Sequence, residues 1–243
     1  MLQFRLILIC AFVSLSANAA MSCREVLLDL MRMQREEGTE VLVTNFQDAQ
    51  HSYCSLACVA NVASSARAQK YGKFVTFSQS DLQQVMAKLR DAKLASDLDS
   101  IGKPSGMDSE GAEEAFQMAF DLMAPELRAK VNRKVILSEN IDPQDLAATD
   151  PSTMHLLDLA YIQKGKIISG HVQVVVEGPH PDGTLLVSDP NSPALRVGFK
   201  LEPVKIRGHT SFALIPNDVG DGNFVKKAPD VDVVIMGVTT IHF

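Results

Sequence analysis

Three residues of this sequence have the types and positions that nucleophilic catalysis by a thiol requires: Cys54, His171 and Asp189. Cys54 lies where a polar, loop-like run (residues 47–53) gives way to an apolar helix predicted over residues 54–69. The first turn of a helix leaves backbone N–H groups unpaired, and the positive end of the helix dipole lies there. Both effects favour a thiolate over a thiol, so Cys54 is the predicted nucleophile.

A general base and a carboxylate that orients it are predicted in the second half of the chain. His171 lies near the start of a predicted strand (169–177), and Asp189 directly follows the next one (184–188). A turn rich in proline and glycine joins the two strands. In an antiparallel hairpin the start of the first strand faces the end of the second, so His171 and Asp189 should lie side by side.

These residue types imply an acyl-transfer mechanism. Cys54 would attack a carbonyl carbon as a thiolate, and His171 would pair with the thiolate and then protonate the leaving amine. Asp189 would accept a hydrogen bond from the other ring nitrogen of His171. The backbone N–H of Cys54 would be one oxyanion donor, and the side-chain amide of either Gln47 or Gln50 would be the other.

The cysteine content is compatible with a free nucleophile. Once the N-terminal segment is removed, three cysteines remain, and an odd number leaves at least one thiol free in an oxidising compartment. The alternative is that Cys54 is a buried structural cysteine, which is common for free thiols. Cys58, one turn further along the helix, is predicted to be a core residue.

Residues 1–19 have the features of a secretory signal peptide. A short basic start, an apolar run (6–15) and an Ala-Asn-Ala ending predict cleavage after Ala19. The mature protein is therefore expected to be soluble and exported, either periplasmic or secreted. A net charge of −6 and the lack of a basic run argue against nucleic acid and anionic membranes as partners.

Periodicity and turn signals predict helices before strands, an α+β chain. The predicted helices are residues 24–37, 54–69, 78–89 and 109–131. The predicted strands are residues 154–163, 169–177, 184–188, 195–200 and 210–216, with further candidates at 40–45, 134–137 and 231–241. After the signal peptide we expect one domain (20–243), with a helical half over about 20–150 and a β-sheet half over about 151–243.

The order of cysteine at a helix start, then histidine and aspartate on successive strands, resembles the papain-like cysteine peptidase superfamily. The segment from Gln47 to Cys54, the Gly170-His171 pair and the late Arg207-Gly208 before an apolar strand are similar to bacterial phytochelatin synthases. A second resemblance is to the bacteriocin-processing peptidase domains of ABC exporters. Both resemblances imply a papain-like fold, in which a central nucleophile helix packs on an antiparallel β-sheet.

The first resemblance implies release of glycine from glutathione through a γ-glutamylcysteinyl thioester on Cys54. Water or a second glutathione would then accept the acyl group, which makes the protein a cysteine peptidase or transpeptidase. No cofactor is required, although the resemblance includes activation by Cd²⁺ or Zn²⁺ bound to the substrate thiol. Whether the chain is a monomer or a homodimer stays open.

Two other functions stay open beside this one. A peptidase of the same superfamily could process another short peptide. A catalytically inactive fold could serve as a binding module, because the family has glycine where this chain has Ser55. The family's upstream glutamine also aligns one residue away from Gln47.

Overall fold

The computed structural model describes residues 21–48, 51–96, 111–147, 150–221 and 230–243. The predicted signal peptide, the loop predicted over residues 97–108 and Gln50 lie outside these ranges. The helices are α1 (Cys23–Glu37), α2 (Cys54–Tyr71), α3 (Gln79–Asp91) and α4 (Ala112–Met123). The strands are β1 (Lys130–Val135), β2 (Thr153–Gln163), β3 (Lys166–Glu177), β4 (Thr184–Ser188), β5 (Arg196–Ile206), β6 (His209–Asn217) and β7 (Val231–His242).

The helix starts follow from local sequence. Ser22 with Glu25 and Ser78 with Asp81 form capping boxes that satisfy backbone N–H groups at the starts of α1 and α3. The central helix α2 is buried on nearly every face, as its small apolar residues predict. It packs against α1, α4 and β3, and its N-terminal end lies next to the sheet, because the Cys58 thiol donates to the carbonyl of Val172 on β3. None of the helices in the described ranges is long and apolar enough to span a membrane.

The sheet closes on itself, and the predicted papain-like fold is therefore wrong. The strand order is β1-β7-β2-β3-β4-β5-β6, every pair is antiparallel, and β6 also pairs with β7. Strands β2 to β7 thus form a closed six-stranded barrel with four helices outside it, rather than an open sheet against a central helix. Strand β1 extends the sheet from β7.

The wall of the barrel separates two apolar clusters, and β3 contributes to both. On β3, Val172, Val174 and Val176 pack with the helices, whereas Val175 belongs to a second apolar cluster with residues of the other barrel strands. A bulge at Met236 on β7, opposite the Asp158–Leu159 step of β2, shifts the register between the two strands. Such bulges increase strand twist and allow a sheet to close.

Three local predictions differ from the structure, and side-chain hydrogen bonds or a proline explain two of them. Residues 40–45 are not a strand, because the N–H groups of Val41 and Leu42 donate to the Gln34 side chain, at 3.1 and 2.7 Å. The helix predicted over 109–131 ends at Met123, two residues before Pro125. The strand candidate at 134–137 is displaced to β1, which pairs with β7.

A serine at the seam of the barrel, where β6 pairs with β7, provides a test of its closure. Ser211 on β6 is fully buried, and its hydroxyl donates to the carbonyl of Ile235 on β7 at 2.6 Å. Ser211→Ala would leave that carbonyl without its donor, so we expect the free energy of unfolding to fall by about 1–3 kcal/mol. Chemical denaturation measures the change. The exposed Ser192→Ala control should stay within about 0.5 kcal/mol of wild type, and an equal loss in both variants would contradict the seam.

Candidate active site

The loop before α2 is folded so that Cys54 becomes the first helical residue. The N–H of Tyr53 donates to the carbonyl of Phe46 at 3.1 Å, and the two rings stack with centroids 4.0 Å apart. The Tyr53 hydroxyl donates to Asp48 Oδ2 at 2.8 Å. Tyr53 is the N-cap, but its side chain makes no capping hydrogen bond. The N–H groups of the first turn therefore remain available near the Cys54 thiol.

The structure brings His171 and Asp189 into contact. The Nε2 atom of His171 lies 3.1 Å from both carboxylate oxygens of Asp189. The side chain of His171 is 8% exposed and that of Asp189 is 18% exposed. Val174 on β3 lies opposite Ser188 on β4. The next residue, Asp189, therefore lies closer to the start of β3, where His171 is.

A second set of contacts ties the loop before Cys54 to the turn that carries Asp189. The N–H of Asn45 donates to the carbonyl of Pro190 at 2.7 Å, and its Nδ2 donates to Asn191 Oδ1 at 2.8 Å. The N–H of Asn191 donates to Asp189 Oδ1 at 2.8 Å. These bonds hold the two halves of the site in one arrangement, although their elements are far apart in sequence.

The electrostatics of the site favour a thiolate–imidazolium pair. Burial would raise the pKa of Cys54, but a hydrogen bond from His171, the charge of His171 and the hydroxyls of Ser55 and Ser52 lower it below 9.0. Burial would lower the pKa of His171, but its hydrogen bonds to Asp189 and Cys54 and their charges raise it to about 10. Because Nε2 faces Asp189, Nδ1 is the ring nitrogen left for Cys54.

The carboxylate is held in its ionised form. Burial would raise the pKa of Asp189, but the hydrogen bond and charge of His171 lower it below 3.8, together with donors from Asn191 and Gln173. A charged carboxylate next to a charged imidazole fixes the ring orientation and stabilises the imidazolium. The Cys54, His171 and Asp189 side chains thus form one connected chain of contacts.

The other two cysteines in the described ranges are free and buried. The Cys58 thiol donates to the carbonyl of Val172 at 3.4 Å. Burial, with the nearby charges of Cys54 and Asp189, raises its pKa well above 9.0. Cys58 is a core residue, as predicted, and holds α2 against β3. The thiol of Cys23 donates to Gln69 Oε1 at 2.9 Å, and burial raises its pKa to about 12.

The second oxyanion donor stays a prediction. Gln47 is exposed and forms an isolated β-bridge with Ser52, and Gln50 lies outside the described residues. The hydroxyls of Ser52 and Ser55 lie 4.0 and 3.9 Å from the Cys54 sulfur. Ser55 stands where the resembled family has glycine. Its hydroxyl lies close to the thiol and helps to lower the pKa of Cys54.

Two residues at the site were missed in the sequence. Gln173 donates from Nε2 to Asp189 Oδ2 at 2.6 Å, and the ring of Tyr161 lies 6.3 Å from that of His171. Residues two apart on a strand share a face, so a polar Gln173 two positions after His171 was a detectable signal. Tyr161 carries no comparable signal, because the pairing of β2 with β3 decides its position.

Among the residues that the structure describes, no group of three or more histidine, cysteine or acidic side chains is arranged to hold a metal ion. No model of a known protein family matches the chain, and comparison with curated proteins gave no significant match.

Proposed function

We propose that this protein is a cysteine-dependent peptidase or transpeptidase that cleaves the Cys–Gly bond of glutathione. The observation that carries the proposed chemistry is the chain of contacts from the Cys54 thiol through His171 to Asp189. A thiolate at a helix start, paired with an imidazolium whose far nitrogen faces a carboxylate, suits attack on a carbonyl. The choice of glutathione is supported by the resemblance of the Cys54 and His171 segments to phytochelatin synthases.

The proposed reaction has two steps. In the first, the Cys54 sulfur bonds to the carbonyl carbon of the Cys–Gly peptide, the C–N bond breaks, and His171 gives its proton to the departing glycine. This leaves a γ-glutamylcysteinyl thioester on Cys54. In the second, His171 takes a proton from water, which attacks the thioester and releases γ-glutamylcysteine and the thiolate.

The same thioester allows transfer. If the amine of a second glutathione attacks in place of water, the product is a longer γ-Glu-Cys oligomer. The first turn of α2 would stabilise the oxyanion of both tetrahedral intermediates, since its N–H groups have no partners within the helix.

Mass spectrometry of the purified protein incubated with reduced glutathione tests the proposal, with and without Cd²⁺ or Zn²⁺. We expect free glycine and γ-glutamylcysteine, and in Cys54→Ala we expect both products to vanish. Cys58→Ala is the matched control, because it removes a thiol one turn away that lies outside the proposed mechanism. Longer oligomers would indicate transfer.

The alternatives predict different results. No turnover in the presence of a Cys54 that still reacts with a small alkylating reagent would point to a peptidase of another short peptide. No turnover and an inert Cys54 would contradict the enzyme and favour a binding module. Products that persist in Cys54→Ala would also overturn the proposed mechanism.

A further inference from the structure

We propose that Gln173 is a positioning residue that holds Asp189 in the orientation in which Asp189 supports His171. This inference rests on the proposed function, because it assigns a role in that same site. Gln173 lies on β3 two residues after His171 and is 2% exposed. Its Nε2 donates to Asp189 Oδ2 at 2.6 Å.

The contacts of Asp189 show what Gln173 contributes. His171 Nε2 is 3.1 Å from both carboxylate oxygens, so His171 alone leaves the rotation of the carboxylate group poorly defined. The N–H of Asn191 holds Oδ1 at 2.8 Å, and Gln173 holds Oδ2. One donor on each oxygen fixes the plane of the carboxylate. Of these two donors, Asn191 uses its backbone N–H and Gln173 its side chain.

The orientation of the Gln173 amide is set by Asp189. A carboxylate accepts hydrogen bonds but does not donate them, so the NH₂ group and not the carbonyl must face it. The Oε1 atom is then buried and has no hydrogen-bond partner within the part of the chain that the structure describes. An unpartnered buried acceptor costs folding free energy, so Gln173 is a poor choice for stability alone. Its donation to Asp189 is the interaction that explains it.

A positioning role and a purely structural role of Gln173 predict different results. A residue that serves only packing should be replaceable by an apolar side chain of similar shape, with no change in the chemistry of Cys54. A positioning residue should affect the reactivity of Cys54 through Asp189 and His171 while the fold stays intact. The titratable groups coupled to Asp189 are His171, Cys54 through His171, Tyr161 and Cys58.

The test compares Gln173→Met with wild type by the rate of Cys54 alkylation with iodoacetamide from pH 5 to pH 10, located by peptide mapping. We expect the pKa of Cys54 to rise in Gln173→Met, so that the alkylation rate on the acidic limb of the profile, where the thiolate is the minor form, falls about tenfold. The melting temperature should change little, since removal of the unpartnered Oε1 offsets the loss of the donor to Asp189 Oδ2. Gln83→Met, an exposed glutamine on α3, is the matched control and should match wild type in both readouts.

Gln173→Glu provides a rescue that a packing role does not predict. A protonated glutamic acid can donate its O–H to Asp189, whereas the ionised form places two carboxylates at hydrogen-bond distance. The alkylation rate of Gln173→Glu, divided by that of Gln173→Met, should therefore be highest at low pH and fall as pH rises. If Gln173→Met fails to fold, this pH dependence, measured against wild type, carries the test.

Several results would overturn the inference. These are an unchanged alkylation profile in a folded Gln173→Met, a loss of melting temperature with no change in the profile, or a Gln173→Glu rate ratio that does not depend on pH. Alkylation needs no substrate, so this test and the glutathione assay can fail independently. Failure of the assay alone would remove glutathione as substrate and leave the role of Gln173 standing.

Discussion

Replacing His171 with glutamine should raise the pKa of Cys54 from below its ordinary value of 9.0 to above it. Burial is the largest influence on this thiol and raises its pKa, while the hydrogen bond and charge of His171 are the main opposing influences. Glutamine carries no charge, so burial should prevail in His171→Gln. A thiol with a pKa of 9.0 or higher is at most about 1% thiolate at pH 7.

The measurement is the rate of Cys54 alkylation against pH. In wild type the rate should stay high below pH 9.0, because a lowered pKa keeps the thiolate populated as pH falls. Above pH 10 the ion pair is lost as His171 gives up its proton, since the pKa of His171 is about 10. In His171→Gln the low-pH reactivity should disappear. If glutathione is the substrate, turnover should fall by roughly 10³-fold or more.

His180→Gln is the matched control for this variant. His180 lies in the turn between β3 and β4, and its Nε2 is 3.5 Å from Glu177 Oε1 near the surface. It should alkylate and turn over like wild type. A His171→Gln protein that kept wild-type reactivity below pH 8 would exclude His171 as the partner of the thiolate.

The second large effect is expected from Asp189→Asn, which should lower turnover by about 10²- to 10⁴-fold. Asparagine can still accept the N–H of Asn191 through Oδ1, so the turn after β4 should keep its shape. The negative charge next to His171 is lost. The amide nitrogen of the introduced asparagine is itself a donor and would face the Nε2 donor of Gln173. Both changes destabilise the imidazolium, so the pKa of His171 should fall toward 6.5.

Steady-state kinetics with a fixed substrate would measure the loss of turnover. NMR titration of His171 would measure the fall in its pKa. The loss should appear mainly in kcat, since Asp189 contacts His171 rather than the substrate in the proposed mechanism. Asp182→Asn is a suitable control, because Asp182 is an exposed turn carboxylate that also accepts a backbone N–H, from Thr184 at 2.9 Å. Wild-type turnover in Asp189→Asn would remove Asp189 from the mechanism.

The pairing of His171 with Asp189 was predictable because it is local. Two strands joined by a short turn pair antiparallel, and their order in the chain decides which ends meet. Capping residues and apolar periodicity similarly placed α1, α2 and α3 to within a few residues. These features depend on neighbours in sequence, so the sequence carries a direct signal for them.

The strand predicted at 40–45 failed for the opposite reason. Its apolar residues suggest a strand, but its backbone groups are taken by side chains of α1 and α2. Val43 bonds through both its N–H and its carbonyl to the Asn61 side chain, at 2.7 and 3.0 Å. A single buried asparagine can thus replace a neighbouring strand, and no local pattern in residues 40–45 indicates it.

By itself, the sequence determined the residue types of the candidate site, the helix that begins at Cys54, and the hairpin that joins His171 to Asp189. Only the tertiary structure decided that β6 meets β7, because that closure depends on bulges and on contacts between distant segments. Tertiary structure also decided that Cys54 reaches His171, through bonds between Asn45 and the turn at Asn191. Such contacts form only when distant segments pack together, so periodicity within one segment cannot predict them.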